Sequence, residues 1–323
     1  MLLMVLLLLA GLGALYFGAD WMVRGAARLG KTLGLSPMVI GLTVVSLGTS
    51  APELFVAVMA TLQGSSDIAV GNVLGSNLAN IGLIMGLTAV VRPLQVAPTV
   101  IRREIPIMVF VTVLLGPLIM DRAVGRMDGA LLTGLLALYL IFLFYRGRKT
   151  PAHLISPVSQ LTATARDWKR MGVLVDLGLL VAGTLGLLLG GRAIVQAGIY
   201  FSEVFGISEL AIGLTVVAVG TSLPELATSI VAAMRKQTDI AVGNVIGSNI
   251  FNIAGVLGIT GILAPIDVDP GVLWVEFPAV LGLSLVLFLV SFSPKARGEG
   301  KVQRWEGALL LVAYVALGTW ILW

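Results

Sequence analysis

Apolar residues run along the chain in blocks long enough to cross a lipid bilayer. A hydrocarbon core about 30 Å thick takes about 20 apolar residues in a helix. The blocks lie near residues 1–18, 37–62, 68–91, 104–120, 128–145, 171–191, 209–234, 240–264, 273–292 and 306–323. They predict an all-α integral membrane protein with ten transmembrane helices. No basic residue precedes the first block, so we expect a retained helix there rather than a signal peptide.

Basic residues are divided unevenly between alternate predicted loops. Loops rich in Lys and Arg stay on the cytoplasmic side of a membrane. One set of loops carries 18 basic residues, whereas the other holds only Arg122, Arg126 and Arg192. One missed or extra helix would disturb this alternation in every later loop. The distribution therefore favours ten helices with both termini outside.

Two segments of the chain repeat at a constant offset of 172 residues. GLTVVSLGTSAPEL at 41–54 and GLTVVAVGTSLPEL at 213–226 are identical at eleven of fourteen positions. DIAVGNVLGSNLANIG at 67–82 and DIAVGNVIGSNIFNIA at 239–254 are identical at twelve of sixteen. Such a constant offset indicates an internal duplication.

The duplication predicts how the chain is organised in the membrane. Because each copy has five predicted helices, an odd number, the second copy enters the membrane inverted. We predict a first five-helix repeat at 1–145, a cytoplasmic linker at 146–170 and a second, inverted repeat at 171–323. The repeated motifs within them span 41–82 and 213–254. Inverted repeats are an architecture of secondary transporters, whose substrate sites lie near the bilayer midplane.

Composition excludes several other classes of protein. Hydrophobic residues make up 58% of the chain and charged residues 12%, whereas soluble domains are about 25% charged. The net charge of +4 is spread over loops, so we expect a lipid bilayer around the chain and no nucleic-acid partner. With no cysteine and a single histidine, the chain offers neither a thiol nucleophile nor a zinc cluster. Any metal ion must be bound by oxygen.

Two glutamates stand inside predicted membrane helices, where a carboxylate is costly and usually functional. Glu53 and Glu225 each follow a proline, Pro52 and Pro224. Proline interrupts the helical hydrogen bonds and frees carbonyl oxygens. The hydroxyl side chains within one turn of the carboxylates are those of Thr49, Ser50, Thr221 and Ser222. Carboxylate, hydroxyl and carbonyl oxygens together suit Ca²⁺ or Na⁺.

The next predicted helix of each copy carries a polar stripe. Its members are Asn72, Ser76 and Asn80 in the first copy and Asn244, Ser248 and Asn252 in the second. A spacing of four residues places each set on one helical face. The GxxxG pairs Gly71 with Gly75 and Gly243 with Gly247 predict close packing of these helices against the broken ones. Each feature alone is common in helix packing, but their combination in two copies points to an ion site.

Other acidic residues are given local roles. Asp67 and Asp239 immediately precede predicted helices and are expected to cap their N-termini, with a part in ion entry as the alternative. Glu104 and Glu276 each start a helix two residues before a proline, where a carboxylate meets the positive end of the helix dipole.

The basic segment 146–170 is expected to connect the halves on the cytoplasmic side and to anchor on anionic lipid. A binding site for a regulatory partner is the alternative. His153, inside this segment, is expected to be solvated. Asp176, just beyond it, is expected to pair with Lys169 or Arg170.

On these motifs the sequence resembles the cation/calcium antiporter superfamily, the sodium/calcium exchangers and their prokaryotic relatives. The resemblance rests on GTSAPEL with GNVLGSNLANI and on GTSLPEL with GNVIGSNIFNI, and it covers nearly the whole chain outside the linker. It implies an antiporter in a prokaryotic plasma membrane that extrudes one Ca²⁺ for entry of about three Na⁺ by alternating access. The first and sixth predicted helices would slide over a rigid core. No enzymatic activity and no cofactor are implied.

The resemblance also implies a set of ion ligands, with Ca²⁺ between Glu53 and Glu225 and Na⁺ in flanking positions. The further ligands it implies are the hydroxyls of Thr49, Thr221, Ser50, Ser222, Ser76 and Ser248, the carbonyls of Ser46 and Ala218, and the side chains of Asn80 and Asn252. Some sodium/calcium exchangers have an aspartate at the position of Asn252. Two carboxylates balance one Ca²⁺ or two Na⁺, so a third Na⁺ would have no counter-charge of its own.

Other functions stay open on the sequence. An H⁺/Ca²⁺ antiporter needs only the two glutamates, and protons are in any case expected to compete with cations and inhibit at acid pH. A cation channel is a second alternative, which the inverted repeats disfavour. An intramembrane enzyme is the weakest, because the predicted helices contain no Ser/His or paired-aspartate constellation. The oligomeric state is also left open.

Overall fold

Helices account for most of the residues that the computed structural model describes, which are 1–147, 169–205, 218–291 and 300–322. The helices in these ranges are α1 Leu2–Leu33, α2 Pro37–Thr49, α3 Ala51–Leu62, α4 Ser66–Val91, α5 Ile105–Leu118, α6 Arg126–Gly147, α7 Lys169–Val204, α8 Ala218–Thr221, α9 Leu223–Met234, α10 Thr238–Leu263, α11 Pro270–Ser291 and α12 Arg304–Leu322. The strands are β1 Leu94–Val96, β2 Ala123–Val124, β3 Ile266–Asp267 and β4 Gly300–Val302.

Several of these helices are long and apolar enough to cross a membrane. In the described ranges there are six, or seven if the bent pair α2 and α3 forms one span. The beginning of the predicted helix at 209–234 and most of the predicted linker, including His153, lie outside the described residues. The chain is therefore a helical protein with multiple apolar spans.

The outer helices α1 and α7 are longer than predicted. α1 continues to Leu33 instead of ending near residue 18, because Met22, Ala26 and Leu29 extend its buried stripe at helical spacing. Arg24 and Arg28 therefore lie on a helix and not in a loop. α7 begins near the predicted start but continues well past residue 191.

The described spans divide into an enclosed core and a periphery. In an 18-residue apolar stretch of α4 and of α10, 78% and 89% of the residues are buried, whereas in such a stretch of α1 and of α7 the share is 22%. α1 and α7 pack closely against each other, since a Cβ at Gly18 would lie 2.8 Å from the Leu187 nitrogen. The helices that carry the polar stripes are thus the most protected from the surroundings.

The predicted breaks before the two glutamates are present. α2 and α3 meet at an angle of 43°, and Ser50 between them has φ −84° and ψ 9°. Ser222, between α8 and α9, has nearly the same conformation, with φ −89° and ψ 4°. Proline at the second position of α3 and of α9 accounts for both interruptions, because it cannot continue the preceding hydrogen bonds.

Short π-helical segments, which the sequence pattern did not indicate, lie within or next to several helices. They cover Gly41–Val45, Asn80–Met85, Val100–Glu104 and Phe251–Leu257. Each widens one turn of backbone, and such turns frequently occur at functional sites. Asn80 and Asn252 both lie in these segments, so the turn sets the direction of the two amides.

The predicted N-caps are wrong by about two residues. α4 and α10 begin at Ser66 and Thr238, which places Asp67 and Asp239 inside the first turn instead of before it. A carboxylate there still meets the positive end of the helix.

Two other carboxylates have partners that the sequence did not indicate. Glu104 is fully buried and accepts hydrogen bonds from Arg103 Nε and, at 2.7 Å, from Tyr139 Oη. Asp176 lies 3.9 Å from Arg28 of α1, while the side chains of Lys169 and Arg170, its predicted partners, lie outside the described part of the structure.

Asp20, which the sequence left without a role, joins α1 to the end of α9. It is 4% exposed and forms salt bridges with Arg24 and with Arg235, the residue after α9.

Two small antiparallel ribbons connect distant parts of the chain. β1 pairs with β4 so that Gln95 is opposite Lys301. β2 pairs with β3 so that Ala123 is opposite Asp267. The ribbons tie the segments that follow α4 and α10 to the neighbouring termini of other helices.

Candidate ion-binding site

The two predicted acidic ligands lie at the centre of the described structure. Glu53 and Glu225 are both 0% exposed and sit in the first turns of α3 and α9, directly after the breaks. Ser50 Oγ donates to Glu225 Oε1 at 3.0 Å, and Ser222 Oγ is 3.5 Å from Glu53 Oε1. Each break therefore supplies a hydroxyl to the glutamate of the other repeat, which brings four predicted site residues together.

Two asparagines of the polar stripes hold the backbone beside the glutamates. Asn72 Nδ2 donates to the Glu53 carbonyl at 3.2 Å, and Asn244 Nδ2 lies 3.4 Å from the Glu225 carbonyl. Asn244 Oδ1 also accepts from Thr49 Oγ1 at 3.1 Å. The sequence placed both amides on the polar face without assigning them to the site. Their repetition at the same spacing from each glutamate was the signal that could have identified them as positioning residues.

Asn252 belongs to a hydrogen-bonded corner formed with α4. Its Nδ2 donates to Ser76 Oγ at 2.9 Å and to Asn77 Oδ1 at 3.1 Å. Asn77 in turn donates to the Asn249 carbonyl at 3.3 Å. Asn77 was not among the predicted site residues, although it and Asn249 are themselves separated by the repeat offset of 172 residues. The two copies of the motif thus meet where α4 crosses α10.

Five buried oxygen atoms near these residues accept no hydrogen bond from any part of the chain that the structure describes. They are Glu53 Oε2, Glu225 Oε2, Asn80 Oδ1, Asn252 Oδ1 and Ser248 Oγ. A buried acceptor without a donor is costly, and a buried charge is more so. The two carboxylates also lie close enough to repel each other. A bound cation would satisfy these oxygens and relieve the repulsion.

The atoms available make this a site for a hard cation. Carboxylate, amide and hydroxyl oxygens suit Ca²⁺ and Na⁺ and are poor ligands for soft metals. Within the described ranges, no three His, Cys, Asp or Glu side chains are grouped to hold a metal. The formal charge that the protein supplies at this place is therefore that of Glu53 and Glu225.

The remaining predicted ligands differ in whether they already form hydrogen bonds within the protein. The Ser46 carbonyl already accepts from Ser50 N at 2.9 Å and from Thr49 Oγ1 at 3.3 Å. Thr221 is half-buried and forms a hydrogen bond with Glu53. Ala218 is the first described residue of α8, and its carbonyl precedes the break at Ser222. An ion at the Ser46 carbonyl requires at least one of its present hydrogen bonds to move.

A cavity of about 640 Å³ reaches the site from one side. It is lined by residues of α3, α7, α8 and α9, and Thr221 and Pro224 belong to its lining. Most of the lining is apolar, with Arg192 and Gln196 of α7 as its long polar members. The cavity provides a route from the surface to one of the predicted ligands.

Comparison with known proteins identifies the family to which the chain belongs. The family model described as sodium/calcium exchanger protein matches residues 3–145 and 175–323, which include both broken helices and both polar stripes. The chain belongs to the sodium/calcium exchanger family. Its members are antiporters and not enzymes, so this exchanger is a cation/Ca²⁺ antiporter.

Relatives of the exchanger cover nearly its whole length. It is 39% identical to the putative antiporter CaxA of Alkalimonas amylolytica over 98% of this chain and 97% of that protein. It is 34% identical to the sodium/calcium exchanger MaX1 of Methanosarcina acetivorans over 96% of each chain. A more distant relative, at 26% identity over 94% of this chain and 89% of its own, is the Ca²⁺/H⁺ antiporter ChaA of Bacillus subtilis.

The fold agrees with that of a solved membrane exchanger. The sodium-calcium exchanger NCX_Mj, studied in crystals soaked with Na⁺ and Ca²⁺, superimposes on this exchanger with a TM-score of 0.81. The two sequences are 31% identical, and the match covers 97% of each chain.

Proposed function

We propose that this exchanger extrudes Ca²⁺ in exchange for Na⁺ entry by alternating access at the site between Glu53 and Glu225. The observation that carries the proposal is the pair of fully buried carboxylates, each with one oxygen lacking a hydrogen-bond partner in the described structure. Two negative charges match one Ca²⁺ or two Na⁺. Because the charge of the same two carboxylates balances either ion, occupancy by one ion excludes the other.

Coupling between the two fluxes follows from the cost of an ion-free site. Without a cation, two carboxylates would face each other in a low-dielectric interior. That state is too costly to be enclosed and carried across the membrane. The protein therefore changes access only when Ca²⁺ or Na⁺ neutralises Glu53 and Glu225.

We further infer the placement of the chain in the membrane. Ten spans form two inverted repeats, 1–145 and 171–323, joined by a cytoplasmic linker at 146–170, and both termini are outside. The apolar spans and the division of basic residues between loops support this arrangement. A prokaryotic plasma membrane is the location that the relatives favour. The helices α1 and α7, which are largely exposed, would then move together over the core of α4 and α10.

The proposed ligand sets follow the two repeats. Ca²⁺ lies between Glu53 and Glu225, with the backbones of Thr49 and Thr221 beside it. Sodium ions occupy flanking positions, and their ligands would be the hydroxyls of Ser50, Ser76, Ser222 and Ser248, the carbonyls of Ser46 and Ala218, and the amides Asn80 and Asn252. The unpartnered oxygens of Ser248, Asn80 and Asn252 support their inclusion.

H⁺/Ca²⁺ exchange is the second candidate, and one observation favours it. Asn252 is a neutral amide, and its nitrogen already donates to Ser76 and Asn77, so this corner supplies no third negative charge for a third Na⁺. Two glutamates alone can carry two protons in exchange for one Ca²⁺. The relation to a Ca²⁺/H⁺ antiporter is consistent with that chemistry.

Transport into proteoliposomes separates the two candidates. Vesicles are loaded with Na⁺ and diluted into Na⁺-free buffer containing Ca²⁺, and a matched set is driven by a pH gradient at equal Na⁺. Sodium exchange predicts Ca²⁺ uptake that needs internal Na⁺ and disappears when Na⁺ is equal on both sides. Uptake driven by the proton gradient alone would replace the proposal with the second candidate.

Acid is expected to inhibit transport under either mechanism. Protons and cations compete for the same carboxylate oxygens of Glu53 and Glu225, so lowering the pH removes the charge that attracts the cation. We expect Na⁺-driven Ca²⁺ uptake to fall steadily from pH 8 to pH 5.5, and saturating Ca²⁺ to restore part of it. A rate that does not change over this range would contradict the assignment of the two glutamates as ligands.

A further inference from the structure

A second cavity, remote from the two glutamates, is lined by positive charge. It has a volume of about 730 Å³, and its basic lining residues are Arg92, Lys236, Lys301 and Arg304. Its other lining residues are Val91, Pro93, Gln95, Met234 and Thr238. None of the described residues that line it is acidic. A concave surface with four cationic groups, and with no carboxylate among its described lining residues, is an environment for an anion.

The fold brings these four residues together from distant parts of the sequence. Arg92 directly follows α4, and Arg304 is the first residue of α12. Lys301 lies on β4, opposite Gln95 of β1. Lys236 lies in the turn between α9 and α10. The β1–β4 ribbon therefore fixes one wall of the cavity, and the turn that carries Lys236 forms another.

Lys236 occupies a backbone conformation that does not favour lysine. Its φ is +64°, whereas the matching position of the first repeat is Gly64, with φ +77°. Both turns close in the same way: Gln237 N donates to the Ala232 carbonyl, and Ser65 N donates to the Ala60 carbonyl, each at 2.8 Å. Glycine adopts this conformation without strain, and a side chain makes it less favourable. A strained lysine whose charge faces an anion cavity indicates a role for that charge.

The rim of the cavity has the character of a membrane interface. Val91 and Met234 are apolar, line the cavity and are 42% and 57% exposed. Trp305, next to Arg304, is 63% exposed. Tryptophan is enriched at the level of lipid headgroups, and basic pockets between membrane helices on the cytoplasmic side bind anionic headgroups.

We propose that this cavity binds the phosphate group of an anionic phospholipid. Arg92, Lys236, Lys301 and Arg304 would surround the phosphate, and the acyl chains would leave over Val91 and Met234. Guanidinium groups can donate two parallel hydrogen bonds to phosphate oxygens, and lysine contributes point charge. Inorganic phosphate shares this chemistry and is the other source of the ligand. The site is separate from the ion-exchange site and does not depend on which cation drives transport.

Native mass spectrometry of the full-length chain in detergent tests the site. Phosphatidylglycerol is titrated against the protein, with phosphatidylcholine as the neutral lipid and inorganic phosphate as the soluble anion. We expect retention of phosphatidylglycerol by the unmodified chain. Each basic residue near an anionic surface contributes about fivefold in affinity, so the double variant K236Q/R304Q should bind the lipid about 25-fold more weakly.

Matched variants separate binding from folding. Arg102 is exposed and does not line the cavity, so R102Q should bind phosphatidylglycerol as the unmodified chain does. The charge-conserving variant K236R/R304K should also retain binding. K236G should unfold at no lower temperature, because glycine suits the backbone conformation, yet bind the lipid about fivefold more weakly.

The outcomes decide both the site and the source of its ligand. Displacement of the lipid by millimolar inorganic phosphate in the unmodified chain, with no phosphate binding to K236Q/R304Q, would support the site with a soluble ligand. Lipid retention that resists phosphate but is lost in K236Q/R304Q would support the phospholipid. Equal lipid binding by K236Q/R304Q and R102Q would overturn the proposal.

Discussion

Asn80 and Asn252 occupy matching positions in the two repeats, but in the described structure only the Asn252 side chain forms hydrogen bonds with other residues. Asn252 donates to Ser76 and to Asn77 from across the repeat boundary. In the described structure neither the amide nitrogen nor the oxygen of Asn80 has a hydrogen-bond partner, and the same is true of Ser248 Oγ. The two motifs supply the same groups to both corners, yet packing closes one corner with internal hydrogen bonds. The open corner leaves more polar atoms for an ion.

The glycine pairs of the two stripes also differ, because only the pair in the second repeat is tightly packed. A Cβ at Gly247 would lie 2.7 Å from both the Leu42 carbonyl and Ser46 Oγ, and one at Gly243 would lie 2.8 Å from the Met38 carbonyl. No described heavy atom lies within 4 Å of a Cβ at Gly71 or Gly75. The expected contact between GxxxG and a broken helix therefore forms between α10 and α2, which belong to different repeats. Identical motifs can thus serve a packing role in one copy that they lack in the other.

Loss of either carboxylate should have the largest effect, and the effect should be the same in both repeats. In E53Q and E225Q the site keeps its shape but loses half of its charge. We expect Ca²⁺ uptake into proteoliposomes to fall at least 100-fold in each, which corresponds to about 2.7 kcal/mol or more. D67N, which removes an exposed carboxylate at the start of α4, is the matched control and should transport normally. Near-normal exchange in both glutamine variants would refute the site.

Alanine in place of one glycine in each stripe should change the stability of the protein in opposite directions. G247A would force its Cβ against Leu42 and Ser46, and we expect a loss of about 1–3 kcal/mol in the free energy of unfolding. G75A should instead gain up to about 1 kcal/mol, because alanine is the better helix former. Chemical unfolding in detergent measures both. Equal stability of the two variants would mean that the close approach of α10 to α2 is not essential.

An aspartate in place of each asparagine should reduce the stability of the protein by different amounts at the two corners. N252D cannot donate to Ser76 or Asn77, so we expect it to lose about 1–2 kcal/mol of stability in ion-free buffer. N80D adds the same buried charge but breaks no hydrogen bond of the described structure, so it should lose less stability than N252D by about the same 1–2 kcal/mol. Because both add a third negative charge, both should be stabilised by Ca²⁺ more than the unmodified chain. Unfolding measured with and without Ca²⁺ tests this, and a larger ion-free loss in N80D would reverse the assignment of the closed corner.

The serines should give the smallest and most specific difference. S76A removes one of the two acceptors of Asn252 and should cost about 1 kcal/mol of stability, whereas S248A should cost almost nothing. Their effects on the Na⁺ concentration that gives half-maximal exchange should have the opposite order. S248A should change this concentration more than S76A does. If S248A leaves this concentration unchanged, Ser248 is not a sodium ligand.

Features that depend on a few neighbouring residues could be predicted from the sequence. The apolar runs identified helices long enough to span a bilayer, and Pro52 and Pro224 identified the breaks, because proline acts on its own helix. Motif spacing identified Glu53 and Glu225 before their burial was known. The end of α1 was predicted wrongly because charged residues suggested a loop, although buried residues such as Met22 and Ala26 continue the helix.

The sequence by itself determined which chemical groups the site contains, their duplication, and the glutamates' place beside broken helices. Only the tertiary structure decided which groups meet. Ser50 contacts Glu225, Asn252 contacts Ser76, and Asp20 contacts Arg235. In each pair, more than 170 residues separate the partners. No local preference of the chain encodes these contacts, because they arise only when whole helices pack and bring polar groups of different helices within bonding distance.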